Sequence, residues 1–273
     1  MTLLARRSSV AAQWLVLGGL LVGGAAFGQA QAPPAPGNRV PLPQLPPLGL
    51  VDMPTAGILE RSTYEAELRA FDQGGVILRM RLGVSDHFQV GVSYGGRRIL
   101  GEGSPEWYER PELQAKLRLV DETVRSPALA IGVESQGVGP YSESAERYQF
   151  KAPGLFMVLS KSYAFLSGFG LHGGVTYNPL EGSEDRGRPD LFVGVDVSLR
   201  EGVYFLAEYD AAFDDHDSDV FPLRHGGRGY LNVGLGAEFS EGQGVSLEFR
   251  DLLGRALGAE ASRELRINVR GSL

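Results

Sequence analysis

The stretch Leu231–Phe239, "LNVGLGAEF", places Leu231, Val233, Leu235, Ala237 and Phe239 on one side of an extended chain. Asn232, Gly234, Gly236 and Glu238 fall on the other. Successive strand side chains point to opposite faces, so this segment is apolar on one face and polar on the other. The pattern recurs in Phe88–Tyr94 and in Leu113, Ala115, Leu117 and Leu119 against Gln114, Lys116 and Arg118. It recurs again in Leu191, Val193, Val195, Val197 and Leu199 against Gly194, Asp196, Ser198 and Arg200. Helical periodicity is almost absent beyond the first 30 residues, so the fold class is all-β, antiparallel. About twelve strands are expected, near 60–71, 76–84, 88–95, 112–120, 127–135, 154–160, 164–177, 190–199, 203–210, 229–239, 244–251 and 264–270.

The connections alternate in length. Ser85–His87, Asp121–Ser126, Lys161–Tyr163, Arg200–Gly202 and Ser240–Gln243 are short, whereas Gly96–Pro111, Gln136–Pro153, Asn178–Pro189, Ala211–Arg228 and Leu252–Arg263 are long and polar. Asp72–Gly75 is the one short member of the second set. An even number of antiparallel strands with short turns at one end and long loops at the other is the pattern of a transmembrane β-barrel. A soluble β-sandwich or lipocalin-like fold shows the same alternation with the apolar face inside. Two features favour the barrel. Charges keep to the polar face, and that face carries Gly83, Gly91, Gly132, Gly168, Gly170, Gly194, Gly234 and Gly236. Glycine weakens a water-facing strand, but in a crowded lumen it makes room for a long neighbouring side chain.

The N-terminus bears on the compartment. Arg6 and Arg7 precede an apolar run over Val10–Val22 and small residues up to Ala30, the order of a secretory signal peptide. Gly28-Gln29-Ala30 is the preferred cleavage box, Ala26-Phe27-Gly28 the alternative, and a retained anchor over Ser9–Phe27 the rival reading. Residues 1–30 are assigned to this signal. Residues 31–48, including "QAPPAPGNRVPLPQLPP", are assigned to a Pro-rich, extended spacer, and residues 49–273 to the barrel. Cysteine is absent, which removes disulfides, thiolate metal sites and a lipidated N-terminal Cys. The net charge of −7 argues against nucleic acid as a partner. Outer-membrane lipid and lipopolysaccharide are the expected surroundings.

"GFGLHGG", Gly168–Gly174, contains a G-x-G-x-x-G, but it lies inside a strand pattern with no helix after it. Its glycines read as lumen glycines and not as a dinucleotide fingerprint. His87, His172, His216 and His225 lack metal-pair or triad spacing, and no G-x-S-x-G occurs. Asp215, Asp217 and Asp219 of "DDHDSD" have the alternate spacing of a Ca²⁺ loop. The glycine and distal glutamate are missing, however, so a solvated loop is the simpler reading. No catalytic residue, metal ligand or cofactor is expected. Charges expected to face the lumen are Arg79, Arg81, Lys116, Arg118, Glu134, Asp196, Glu238, Glu248, Arg250 and Arg266, with Glu208 and Arg270 on the same faces. They fit either cross-barrel ion pairs that plug the interior or a charged path for a polar solute. The plugged or narrow interior is preferred.

Three segments, "GLVDMPTA" (Gly49–Ala56), "SPALAIGVES" (Ser126–Ser135) and "GRGYLNVGLGAEF" (Gly227–Phe239) with its continuation "LEFRDLLG", together resemble the YjbH-like family of bacterial outer-membrane proteins. The resemblance implies an outer-membrane barrel with a structural or accessory role in exopolysaccharide or capsule production or export. Polysaccharide and export-machinery proteins would then be its partners. It supplies no catalytic residues to carry over. Many barrels end in an aromatic residue, whereas this sequence ends "INVRGSL", so the final strand is expected either to stop near Val269 or to use another assembly cue. The rival functions are a narrow channel for small polar solutes, a soluble periplasmic binding protein, and a lipid-modifying barrel enzyme.

Overall fold

The computed structural model describes residues 47–164, 168–182, 188–215, 221, 229–240, 242–256 and 261–273. The signal-peptide assignment and most of the Pro-rich spacer lie outside them, as do His216, His225, Asp217 and Asp219. The strands are β1 Thr63–Phe71, β2 Gly75–Ser85, β3 Phe88–Arg97, β4 Glu106–Trp107, β5 Glu112–Val120, β6 Ala128–Glu134, β7 Val138–Ser142 and β8 Arg147–Phe150. They continue as β9 Gly154–Tyr163, β10 Phe169–Tyr177, β11 Asp190–Arg200, β12 Val203–Asp210, β13 Tyr230–Ser240, β14 Gln243–Arg250 and β15 Ser262–Ser272.

All except β4, β7 and β8 form one antiparallel ring, each strand paired with its neighbours along the chain. The ring closes where β1 meets β15, from Thr63 opposite Ser272 to Ala70 opposite Leu265. Closure leaves no long strand with an unpaired edge, which is the condition for crossing hydrocarbon. The twelve-strand expectation holds, with local departures. The first strand starts at Thr63 and not near 60, because Ser62 takes a positive φ of 60° and the Glu60 carbonyl accepts the Thr63 hydroxyl. Lys161–Tyr163 is not a turn. Glu122 accepts the Ser162 N–H at 2.8 Å and the Lys161 ammonium at 3.0 Å, which holds β9 extended to Tyr163. The last strand does not stop near Val269 but stays paired to Ser272.

Burial is inverted relative to a water-soluble protein. Leu78, Met80, Leu82, Leu113, Leu155, Met157, Leu159, Leu191, Val193, Leu235, Leu247, Leu265 and Ile267 are exposed. Glu65, Glu67, Arg69, Arg79, Arg81, Lys116, Glu208, Glu248, Arg250 and Glu264 are buried. A sandwich or lipocalin-like binding protein would have an apolar interior, so this inversion rejects the soluble reading. The protein is a transmembrane β-barrel. Exposed aromatics flank the apolar band, with Tyr163 and Phe239 towards the short turns and Tyr94, Trp107, Tyr177 and Tyr209 towards the long loops. Tyr94 and Trp107 stack with centroids 5.8 Å apart. Such rings settle at the two interfaces of a bilayer.

Glycines on the inner face provide space. A Cβ on Gly132 would meet the Phe156 ring at 2.4 Å, and one on Gly194 would meet Leu50 at 2.3 Å. A charge on the outer face should reveal lipid. Val195→Arg, at the middle of β11, is expected to cost about 2–4 kcal/mol, and Leu199→Arg near the rim about 0–1 kcal/mol. Urea unfolding of the protein in phospholipid vesicles measures both.

Candidate functional site

The segment Leu48–Leu59 folds into the barrel, where Leu48, Leu50, Val51, Met53, Ala56, Ile58 and Leu59 are all buried. It forms a narrow finger. Leu50 N–H donates to the Met53 carbonyl at 2.9 Å, and Gly49 bridges to Pro54, closing a tight turn at the tip. The base lies towards the short turns, where Leu59 N–H donates to Gln89 Oε1 at 2.9 Å. Midway, Ala56 N–H donates to Ser160 Oγ at 2.8 Å, and the Lys116 ammonium donates to the carbonyls of Leu48, Thr55 and Gly57 at 2.6, 3.1 and 2.8 Å. The tip reaches the long-loop end.

The tip carries the densest set of contacts. Glu208 of β12 accepts the Val51, Asp52 and Met53 amides at 3.1, 2.8 and 3.0 Å. The Asp52 carboxylate in turn receives Arg250 Nε and Nη2, both at 2.6 Å, and Arg69 Nη2 at 2.8 Å. Asn232 Nδ2 bridges the two acids, 3.2 Å from Asp52 and 2.8 Å from Glu208. A two-pronged guanidinium–carboxylate contact of this kind is both strong and directional. Apolar contacts complete the seat. Met53 and Ala56 pack with Ala128, Ala130, Phe156, Val158 and Phe192, while Leu50 and Val51 pack with Leu206 and Tyr204.

The charges expected in the lumen occupy three settings. Arg79 pairs with Glu67 at 3.2 Å and Glu134 at 2.6 Å, and Arg81 pairs with Glu65 and with Glu67 at 3.0 Å. Arg266 joins Glu248 at 2.9 Å and donates to the Val51 carbonyl at 2.5 Å. With Lys116 and Arg250 these surround the finger. Arg118 lies instead by the short turns, bound to Asp121 at 2.9 Å, and Glu238 is exposed at the same end. Asp196 contacts His172 Nε2 at 2.7 Å. Arg270 is bound to Glu65 at 2.5 Å. Sequence reasoning missed Asp52, Arg69, Asn232 and Glu264. The alternation Glu65, Glu67, Arg69 along β1 carried a usable signal, whereas nothing local marks Asp52.

Spacing in sequence also gave no sign that Ser160, His172 and Asp196 meet. Ser160 Oγ lies 2.8 Å from His172 Nδ1, and Asp196 Oδ1 lies 2.7 Å from Nε2. Ser160 is fully buried and its oxygen already holds the Ala56 amide, so the trio fixes the finger's position. Asp215 of the "DDHDSD" loop is also committed. It takes Arg147 Nη1 at 2.7 Å and the Tyr230 hydroxyl at 2.5 Å.

The long 136–153 connection, expected as a long polar loop, contains the β7–β8 hairpin. It folds over the finger's end of the lumen. Phe150 sits 4.7 Å beneath the Arg250 guanidinium, and Tyr108 donates to the Gly139 carbonyl at 2.8 Å. Glu181 anchors the hairpin by accepting the amides of Tyr148 at 3.0 Å and Ala152 at 2.9 Å. Burial pushes the Glu181 carboxyl up to about 7.

No family model matches the chain, and no curated protein matches it. Among solved structures, it is similar to the KdgM porin at 10% identity and a TM-score of 0.43, over 77% of this chain and 99% of the porin. It is also similar to the outer membrane channel DcaP of Acinetobacter baumannii at 8% identity and a TM-score of 0.27, over 77% and 95% of the two chains. This is a transmembrane β-barrel. The assignment rests on the closed ladder and inverted burial, which need no residue-level likeness.

Two outcomes are expected from these contacts. Asp52→Ala leaves Arg69 and Arg250 sharing Glu264, with Glu248 4.0 Å from Arg69, at a cost of about 2 kcal/mol. That should appear as amide exchange at Val51–Met53 on the order of 30-fold faster. For Glu181, a folded pKa above the unfolded one means the folded state holds the proton more tightly. Its contribution is full below the usual carboxylate value and is lost as pH rises through about 7. Tyr148 and Ala152 amide protection, corrected for intrinsic rates, should therefore be weaker at pH 8 than at pH 5.

Proposed function

We propose that this protein is a plugged outer-membrane barrel with a structural or accessory role in exopolysaccharide or capsule production or export, and that it is not an enzyme. The observation that carries the plugged reading is the finger itself, bound along the barrel's height from Gln89 to the Asp52 clasp. The link to polysaccharide rests on the three segments that resemble the YjbH-like family. Their placement supports it. "GLVDMPTA" forms the finger, Ala128 and Ala130 of "SPALAIGVES" lie in its seat, and Asn232 of "GRGYLNVGLGAEF" bonds to Asp52. An N-terminal export signal over residues 1–30 belongs to the same reading.

The charged lining favours a narrow, gated channel as the second reading. Planar-bilayer recording separates the two. The wild-type protein should be electrically silent, whereas removal of Gly49–Ala56, with folding checked by the shift between boiled and unboiled gel bands, should produce discrete conductance steps. Steady wild-type currents would overturn the plugged reading. Surface polysaccharide should fall in a deletion strain, and an unchanged amount would remove the export role while leaving the plug intact.

A further inference from the structure

We infer that Arg69, Arg250, Asn232 and Glu208 form a ligand site for a carboxylate that carries hydroxyl or amide donors on neighbouring atoms, a site that the Asp52 turn occupies as a tethered competitor. The inference rests on the plugged reading, because the ligand must be able to replace the finger's tip.

The site is a property of the barrel wall. Its four side chains come from β1, β12, β13 and β14, which lie together in the ring with β15 between β14 and β1. Glu264 of β15 holds both cations independently of the finger, at 2.5 Å from Arg69 Nε and 2.9 Å from Arg250 Nη1. Phe150 backs the Arg250 guanidinium from the hairpin side. The receptor half is therefore fixed by contacts that do not involve Asp52.

The finger presents one carboxylate to the guanidinium groups and three adjacent N–H donors to Glu208. A hydroxy acid or a sugar acid reproduces that arrangement, with its carboxylate on Arg69 and Arg250 and its hydroxyls on Glu208. A neutral sugar leaves the guanidinium fork without an anion. A simple alkyl carboxylate leaves Glu208 without donors. Each unmet buried partner discriminates strongly between close analogues. Lys116 and Arg266, which now bind finger carbonyls, would meet further oxygens of a longer polyhydroxy ligand. Solvent reaches the clasp, since the Asp52 side chain is 18% exposed and lines two small cavities that also touch Phe150, Lys151 and Pro153, and a sugar-sized ligand enters as the tip withdraws.

The absence of cysteine allows a direct test. Val51→Cys places a single thiol at a position that is 2% exposed when the finger is seated. Maleimide labelling of the full chain is followed at constant ionic strength with glucuronate, glucose or acetate, with Leu50→Cys as the reporter if Val51→Cys fails to fold. Glucuronate is expected to accelerate labelling on the order of tenfold, with glucose and acetate within about twofold of buffer. In an Asp52→Ala background the half-maximal glucuronate concentration should fall on the order of 30-fold, because the competitor is weakened. Equal rates with all three solutes, or acceleration by acetate as large as by glucuronate, would overturn the site. Fast labelling without any solute would instead count against the plugged reading. Calorimetry on the wild-type protein then decides the site alone, and glucuronate heats no larger than those of glucose would overturn it.

Discussion

Hydrocarbon offers no partner to a backbone N–H or C=O, so a strand in lipid must be paired on both edges. That requirement closes β15 onto β1 and sets everything else in this molecule. Once the ring is closed, the outer face meets lipid and takes the leucines and valines, and the inner face receives the charges. A twelve-stranded ring is wider than the eight-stranded barrels whose interiors are filled by their own side chains. The remaining space must be filled by water or by chain. Here Leu48–Leu59 fills it.

The interior is charged, yet its groups are matched. A buried ion is tolerated when an opposite charge and hydrogen bonds replace its water. Arg79 and Arg81 meet Glu65, Glu67 and Glu134, and Arg266 meets Glu248. At the tip the matching is reciprocal. The wall's Glu208 holds the finger's amides, and the finger's Asp52 holds the wall's arginines. Glu264 positions the two arginines without the finger, but only a seated tip gives Glu208 its backbone donors and the guanidinium groups a second carboxylate. The β7–β8 hairpin adds a cover held from loops elsewhere on the ring by Glu181, which takes the Tyr148 amide, and by Asp215, which takes the hairpin's Arg147. The same reciprocity gives the clasp its ligand-like character, since the wall side is complementary to a carboxylate with donors beside it.

The barrel was legible because lipid acts on every strand in the same way. Leu191, Val193 and Val195 alternate with Phe192, Gly194 and Asp196 whatever lies elsewhere in the chain, so local pattern suffices. The pattern was weakest where the lumen is dry. β9 is apolar on both faces, since Phe156 and Val158 point inward to seat Met53 and Ala56. The finger had no such signature. It is neither helix nor strand, and its contacts with the wall join residues far apart in the chain, such as Asp52 with Arg250. Ser160, His172 and Asp196 were likewise scattered until the ring brought β9, β10 and β11 together.

The sequence by itself determined the number of ring strands, the ends at which short and long connections lie, and which face of the well-patterned strands is apolar. Those follow from a period of two and from the cost of placing a charge in lipid, which act residue by residue. Only the tertiary structure decided what fills the lumen, which acid meets which arginine, and that Gly49–Ala56 folds inside the barrel rather than leading straight into the first strand. Those depend on distances across a closed ring, and a linear pattern carries no record of them.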